Sequence, residues 1–312
     1  MSTATLLAPL RGNVESLLLK FNIDDDACSV IASIAPELLV GLFTVALVFL
    51  LLRFRGAPYI SKSWAKYKIT ERRVVSSGPR PVVFLTVAVS TKDMPTGSHV
   101  KIRAVGNDGE EVIKSYTPTR FDGSSCEILI RIYPSGKMTP LLNKLGVGDS
   151  IEMMGPTGLH RYGTHGPGNF TYGKRSYNVK KVGMLAGGTG VTPMVQIINK
   201  ILEQSEDKTE VTLCLFSSEA DDILLQEELR SLASFSPKLT VKFLVSSSGT
   251  PTSPDITHSV SMRNLSALDL LSLMNVKEGE VSEAIGLICG PDGFVKHASK
   301  EFKGGAFKTM VW

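Results

Sequence analysis

Between Tyr67 and about Tyr177, hydrophobic and polar positions alternate over short runs. The stretches "RPVVFLTVAV", "SHVKIRAVG", "EVIKSYTP" and "CEILIRIY" are rich in branched and aromatic residues, and turn clusters such as "GNDG" and "FDGSS" separate them. Short strands at this density predict a small antiparallel barrel. From Lys180 the rhythm changes. Solid apolar runs ("KVGMLAG", "EVTLCLFSS", "KLTVKFLVSS", "AIGLICGP") alternate with helical stretches such as "VTPMVQIINKILEQ" and "DDILLQEELRSLAS". That alternation predicts a parallel sheet with crossover helices. The expected fold class is therefore β followed by α/β, with boundaries at 61–178 and 179–312.

A third pattern precedes both. Residues 38–52, "LLVGLFTVALVFLLL", carry no charge, and with "VIASIAP" in front the apolar stretch approaches the ~20 residues of a membrane-spanning helix. Asp24, Asp25 and Asp26 lie before it, whereas Arg53, Arg55, Lys62, Lys66 and Lys68 follow. The excess of cations on the C-terminal side predicts one N-terminal transmembrane helix at about 33–52, within a segment 1–60 that ends in a basic linker, with the body in the cytosol. It starts too far from the N-terminus for a signal peptide.

Bulk composition adds exclusions. The chain has 312 residues and a formal charge of +4; without residues 1–60 the balance is +5. Such a charge suits an acidic partner or a plain solvated surface, and gives no case for nucleic acid. Cys28, Cys126, Cys214 and Cys289 are far apart and form no C-x-x-C pair, so no zinc or iron–sulfur site is expected. Their scatter fits a reducing compartment.

Chemistry enters at two glycine turns. "GGTGVTP", 187–193, follows an apolar strand and opens a helix, and Pro193 suits the first helical turn because its missing amide would have no partner there. Glycines at such a turn let a phosphate-bearing ligand approach the backbone, and the free amides of the helix start face the anion. Pro193 stands where the G-x-G-x-x-G fingerprint needs its third glycine, so this loop is not that fingerprint. "CGPDG", 289–293, is a second turn of the same kind. In a parallel sheet both lie at the C-terminal strand ends, where ligands bind.

Five motifs in order then resemble the NADH-cytochrome b5 reductase branch of the ferredoxin-reductase-like flavoenzymes, across essentially all of 67–312. They are "KSYTP" (114–118), "GKMT" (136–139), "GPTG" (155–158), "GMLAGGTGVTPM" (183–194) and "CGPDG". The resemblance implies an FAD-binding barrel followed by an NAD(H)-binding domain. It implies that Tyr116 lies against the isoalloxazine, that Thr117 hydrogen-bonds near its reactive nitrogen, and that Lys114 meets phosphate. Gly136, Lys137, Met138 and Thr139 are then expected to hold the flavin pyrophosphate, with Arg131 and Tyr133 near the flavin and the incoming nicotinamide. Thr192 is expected to touch the flavin from the second domain. Gly187, Gly188, Thr189, Cys289, Gly290 and Pro291 are expected to shape the nicotinamide pocket. With Tyr116 and Thr117, Cys289 completes the expected catalytic set, in a positioning role, since hydride transfer needs no covalent catalysis.

The implied activity is hydride transfer from NADH to FAD, then single electrons to cytochrome b5 or a similar acidic haem protein. The implied location is the endoplasmic reticulum or the mitochondrial outer membrane. The same residues also accommodate a reductase with a ferric, quinone or other haem acceptor, or a weakly active membrane scaffold. Three departures stand out. Lys114 replaces the family's arginine, keeping the charge but losing the planar two-pronged grip on phosphate. Ser246 or Ser247 stands where the family has an acidic residue favouring NADH, while Glu219, Asp221 and Asp222 add acid at the neighbouring strand end. Trp312 offers a terminal aromatic that either stacks on the flavin or packs at an edge.

Overall fold

The computed structural model describes residues 59–312, apart from 77–79, 93, 107, 250–252 and 304. The expected membrane span at about 33–52 and its charged N-terminal flank lie outside the described residues. Among the described residues no helix is long and apolar enough to cross a membrane, and no cluster of potential metal ligands occurs.

The first sheet contains β1 (Ala65–Ser76), β2 (Val82–Ala88), β3 (His99–Val105), β4 (Glu111–Tyr116), β5 (Arg120–Phe121), β6 (Ser125–Arg131) and β7 (Ser150–Thr157). Its order is β4-β3-β7-β1-β2-β6-β5, and every pairing is antiparallel. The long β1 serves two partners: Ala65–Lys68 pair with β7, and Ile69–Ser76 pair with β2. Tyr67 and Ile69 of β1, Leu85 of β2, Ile102 of β3, Val112 of β4, Ile128 of β6 and Met153 of β7 meet in one core. The sheet thus wraps around a shared interior, as period-two alternation requires. Where a closed barrel was expected, the ladder stays open between β4 and β5, because the two-residue β5 is too short to bridge the gap.

β2 and β6 explain why parts of this half read as unbroken apolar runs. Val83, Leu85, Ile128 and Ile130 face the barrel core, whereas Val82, Phe84 and Leu129 face a second core shared with the α/β half. Both faces of these strands are therefore dry. A short helix, α1 (Thr139–Asn143), follows β6 and plugs the barrel with Leu142.

A separate three-stranded sheet comes next: β8 (His160–Tyr162), β9 (Asn169–Tyr172) and β10 (Arg175–Asn178). Tyr162 and Phe170 pack into the α/β core rather than the barrel core. The "HGPG" segment at 165–168 lies in the turn between β8 and β9.

The second half is a six-stranded parallel sheet. It holds β11 (Lys181–Gly187), β12 (Glu210–Ser217), β13 (Leu239–Val245), β14 (Ile256–Thr257), β15 (Ala284–Cys289) and β16 (Lys308–Val311), in the order β14-β13-β12-β11-β15-β16. Its helices are α2 (Val191–Glu203), α3 (Gln226–Phe235), α4 (Ala267–Leu273) and α5 (Asp292–Glu301). β11 and β12 are buried along nearly their whole length, as a sheet covered on both faces demands. The order reverses at β11, since the chain runs outward to β12 and later returns to β15 on its other side. That switch point opens the crevice in which ligands of such sheets bind.

Candidate functional site

Both glycine turns open at that crevice. β11 and β15 are direct neighbours, with Ala186 facing Cys289, so the loops after them touch. A methyl group on Gly190 would lie 2.2 Å from the Cys289 carbonyl oxygen, and one on Gly290 would lie 3.1 Å from the Gly187 Cα. Glycine is required here by close approach of two backbones. Gly188 adds a positive φ of 53° that a side chain would strain. The Thr192 hydroxyl donates to the Thr189 carbonyl at 3.1 Å, closing the first turn of α2.

These loops form one wall of a cavity of about 760 Å³ whose other wall is the barrel. Of the residues singled out from sequence, Lys114, Tyr116, Thr117, Arg131, Tyr133, Gly136, Lys137, Met138, Thr139, Thr189, Thr192, Cys289 and Gly290 line it. Gly187, Gly188 and Pro291 do not. Gly187 lies behind the surface, where an added Cβ would come within 3.0 Å of the Pro291 Cδ; their part is to let the two loops approach.

On the barrel wall, burial pushes the Tyr116 phenol well above its ordinary range, so it is a neutral ring at any working pH. Thr139 is fixed by Tyr133, accepting from its amide at 2.9 Å and donating to its carbonyl at 3.2 Å. Met138 is 3% exposed and belongs to the barrel core even as it reaches the cavity. The Lys137 ammonium pairs with Glu110 at 2.6 Å on the surface, which raises its pKa.

Arg131 lines the cavity and is also tied to the α/β half. It is 7% exposed, and its Nη2 donates to the Asp222 backbone carbonyl at 2.6 Å, with the Asp222 carboxylate 3.6 Å away. Arg80 also pairs with that carboxylate. Asp222 therefore faces two barrel arginines instead of adding free acid beside a ribose. The Arg131 Nε is buried with no protein partner, an unpaired donor of the kind an anionic or carbonyl-bearing ligand satisfies.

The Cys289 thiol is pushed up to about 12 by burial. It stays protonated, in keeping with a packing role and not with a nucleophile.

Sequence reasoning missed His99, His160 and Tyr172, which line the same cavity. His160 stacks on Trp312, with ring centroids 3.8 Å apart and planes 21° apart, and on its other side meets Tyr172 at 4.8 Å. Trp312 thus packs against the extra three-stranded sheet. Burial, then the neighbouring His99, lowers the His160 pKa to about 4, so the stacked ring is neutral. His258 was also missed. Its Nδ1 lies 3.4 Å from the Ser247 carbonyl, placing an imidazole beside the serines at the end of β13. Those serines are tied to the end of β12 by backbone hydrogen bonds: the Ser246 amide donates to the Ser217 carbonyl and the Ser247 amide to the Ser218 carbonyl, each at 3.0 Å.

A wide apolar-walled slot with one buried free donor, an aromatic face and cations at its mouth fits a flat ring system carrying phosphates. Comparison with known proteins agrees. The oxidoreductase FAD-binding domain family matches residues 66–162, and the oxidoreductase NAD-binding domain family matches residues 184–300. NADH–cytochrome b5 reductase 1 of Arabidopsis thaliana is 37% identical over 180 residues, 57% of this chain and 60% of that protein. The match therefore spans less than two thirds of that relative. NADH-cytochrome b5 reductase 1 of Rattus norvegicus is 35% identical over 216 residues, 62% of this chain and 70% of that protein. Among solved structures, the cytochrome b5 reductase domain of Ulva prolifera nitrate reductase superposes with a TM-score of 0.69 at 27% identity, covering 81% of this chain and all of that one. With an FAD-binding antiparallel sheet leading into an NAD-binding parallel one, and motifs from both meeting in a single cavity, the chain belongs to the cytochrome b5 reductase family of ferredoxin-reductase-like oxidoreductases.

Proposed function

We propose that this protein is a membrane-anchored NADH-dependent flavin reductase that passes single electrons to cytochrome b5 or a similar acidic haem protein. The observation that carries the reading is the convergence of the 114–117 and 136–139 segments with the 189–192 and 289–290 loops on one cavity. Bound there, FAD supplies the chemistry of accepting a hydride and releasing electrons one at a time.

The protein's own part is geometry and electrostatics. Tyr116 offers the flavin ring an apolar face, and Thr117 a hydrogen bond at its edge. Lys114, Lys137 and the Gly136–Thr139 backbone hold the pyrophosphate. Arg131, its Nε unpaired, serves the flavin edge or the nicotinamide carboxamide. Thr192 and Cys289 line the opposite wall and would hold the nicotinamide in the near-attack contact that hydride transfer needs. Gly187, Gly188, Thr189, Gly290 and Pro291 leave room for the dinucleotide backbone. In this reading the two domains divide at residues 178–179.

In this reading, residues at about 33–52 span the endoplasmic reticulum or mitochondrial outer membrane and the body is cytosolic. Asn169, in an "NFT" sequon, is buried and donates from Nδ2 to Ser176 at 2.9 Å; the exposed Asn264, in "NLS", is the informative acceptor. Native protein is expected to carry no glycosidase-sensitive mass on Asn264, and such a mass would reverse the orientation.

A visible spectrum tests the core claim. Purified protein is expected to show a flavin band that bleaches on adding NADH and recovers on adding oxidised cytochrome b5. A colourless protein favours the scaffold reading, and recovery only with ferric complexes or quinones reassigns the acceptor. NADH is the expected better donor, by a narrow margin. The sequence "SSSGTP" that follows β13 carries no lysine or arginine, and Asp222, held by Arg80 and Arg131, is not free to repel the extra phosphate of NADPH. A kcat/KM ratio favouring NADPH would point to His258 as its phosphate partner.

A further inference from the structure

One turn beyond Thr192 on the same face of α2 stands Gln196. It is 4% exposed, and it is built into the barrel rather than into its own half. Its Oε1 accepts from the Gly97 amide at 2.5 Å, and its Nε2 donates to the Pro118 carbonyl at 2.9 Å and the Ser98 carbonyl at 3.3 Å. All of its polar atoms are used across the interface, and the hydrogen-bond pattern fixes which end of the amide points where. Pro118 directly follows Thr117, and Thr192 lies four residues before Gln196, so one side chain joins the two walls of the cavity at the point where they carry their facing threonines.

Gly97 is gripped from its other side too. The Trp312 indole Nε1 donates to the Gly97 carbonyl at 3.3 Å, while the Trp312 amide donates to Ile288 at 3.0 Å on β15. Gly97 sits at φ +97°, and a Cβ there would come 2.8 Å from the His160 carbonyl oxygen. The loop is therefore locked against three neighbours: α2 through Gln196, β15 through Trp312, and β8 through its own close packing.

We propose that Gln196 is a positioning residue for hydride transfer: by bonding Gly97, Ser98 and Pro118 it sets the distance between the nicotinamide wall at Thr192 and the flavin wall at Thr117. Trp312 is the second half of the same brace. The inference rests on the flavin-reductase reading. Hydride transfer is steep in distance, and a misplacement of about 1 Å costs roughly 10²-fold, so a brace one turn from the reacting groups acts on rate without touching them.

The test uses the full-length holoprotein with Gln196→Glu, which keeps length and acceptor but turns a carboxylate toward two carbonyls, and Gln196→Leu, which keeps bulk and loses all three bonds. Stopped-flow flavin bleaching by NADH, NAD+ titration, flavin content, melting temperature and hydrogen–deuterium exchange of the 94–99 segment are measured together. The expected result is a 10- to 100-fold slower bleaching in both variants, with flavin content retained, NAD+ affinity within about threefold, and faster exchange at 94–99. Trp312→Ala is expected to loosen the same segment and slow bleaching to a lesser degree. Unchanged bleaching with loosened exchange would overturn the proposal. So would a rate loss matched by lost flavin or NAD+ affinity, or by a collapsed melting temperature in both variants, because Gln196 would then be ordinary packing. If wild-type protein itself fails to bleach with NADH, it is the underlying reading that falls.

Discussion

The two walls of the cavity are built on opposite principles. The barrel wall presents side chains: Lys114, Tyr116, Thr117, Tyr133, Lys137 and Thr139 come from strand ends and the turn after β6. The α/β wall carries the Thr189, Thr192 and Cys289 side chains but rests on backbone, at two loops so close that Gly190 and Gly290 have no space for a Cβ. A wall of side chains can exchange one chemistry for a similar one, as Lys114 does for arginine. A wall of backbone tolerates almost nothing at its contact points, because the nearest atoms are themselves peptide groups that cannot rotate away. Gly136, on the barrel wall, sits between these extremes, since its added Cβ would lie 3.1 Å from the Tyr133 carbonyl.

The contrast is tested most severely by alanine at glycine. Gly190→Ala is expected to push the 289–290 loop away, lower stability by about 1–3 kcal/mol and weaken NAD+ binding at least tenfold. Gly136→Ala is expected to do far less. Equal loss of melting temperature in the two variants would erase the distinction between the walls.

Next in size is the charge at the cavity mouth. If Lys114 is the phosphate ligand proposed above, Lys114→Ala removes a charge-assisted contact of ~1.5–3 kcal/mol, so flavin release on dilution, followed by fluorescence, should come at higher protein concentration. Lys114→Arg should retain flavin as well or better. Full retention in the alanine variant would mean that Lys114 is not a phosphate ligand.

A smaller effect comes from His160. Its folded-state pKa of about 4 lies below the ordinary histidine value near 6.5. The unfolded chain therefore binds the proton more readily. The stability that the neutral ring contributes is complete above about pH 6.5 and is lost as pH falls toward 4, by roughly 1–3 kcal/mol. His99, lowered mainly by its own burial, acts in the same direction. Melting curves across that window should flatten in His160→Leu, and an unchanged slope would remove His160 as a contributor. Last, Glu110→Gln frees Lys137 from a pair that is more than half exposed on both sides. The melting temperature should not move, as for most surface pairs, while flavin retention should hold or improve.

How much of this was readable in the sequence depended on whether residues act through neighbours in the chain. "KSYTP", "GKMT", "GGTGVTP" and "CGPDG" are contiguous, each shaped by one turn, and most of their members reached the cavity. The change from alternating to solid apolar runs at Lys180 likewise reports a real change from one sheet to the other. His99, His160 and Tyr172 belong to no such motif. His160 and Tyr172 arrive at the cavity because Tyr162 and Phe170 draw a small extra sheet onto the α/β core, a tertiary event with no local signature, and His99 reaches it from the start of β3. Arg131 was read by its position on β6, yet its partner Asp222 comes from the far side of the interface and fixes its orientation. Gln196 looked like one polar residue in an amphipathic helix; only the docked barrel loops show where its amide goes.

The divided pairing of β1 bears on the order in which the chain assembles. Val74 faces Val83 across a short connection, but Ala65 faces Met153, and Lys181 faces Ala284 in the other half. The entropy of closing a loop rises with its length, and contacts distant in sequence slow folding. The β1–β2 hairpin can thus form early and wait, whereas the same strand's first turn of ladder stays unpaired until β7 has emerged. During that interval Ala65–Lys68 are an open strand edge next to the segment that leads back toward residue 60. A ligand that needs both walls of the cavity cannot bind before β11 and β15 lie side by side, and those strands are far apart in sequence. Flavin would then be captured late, as a seal on a finished fold instead of a template for it.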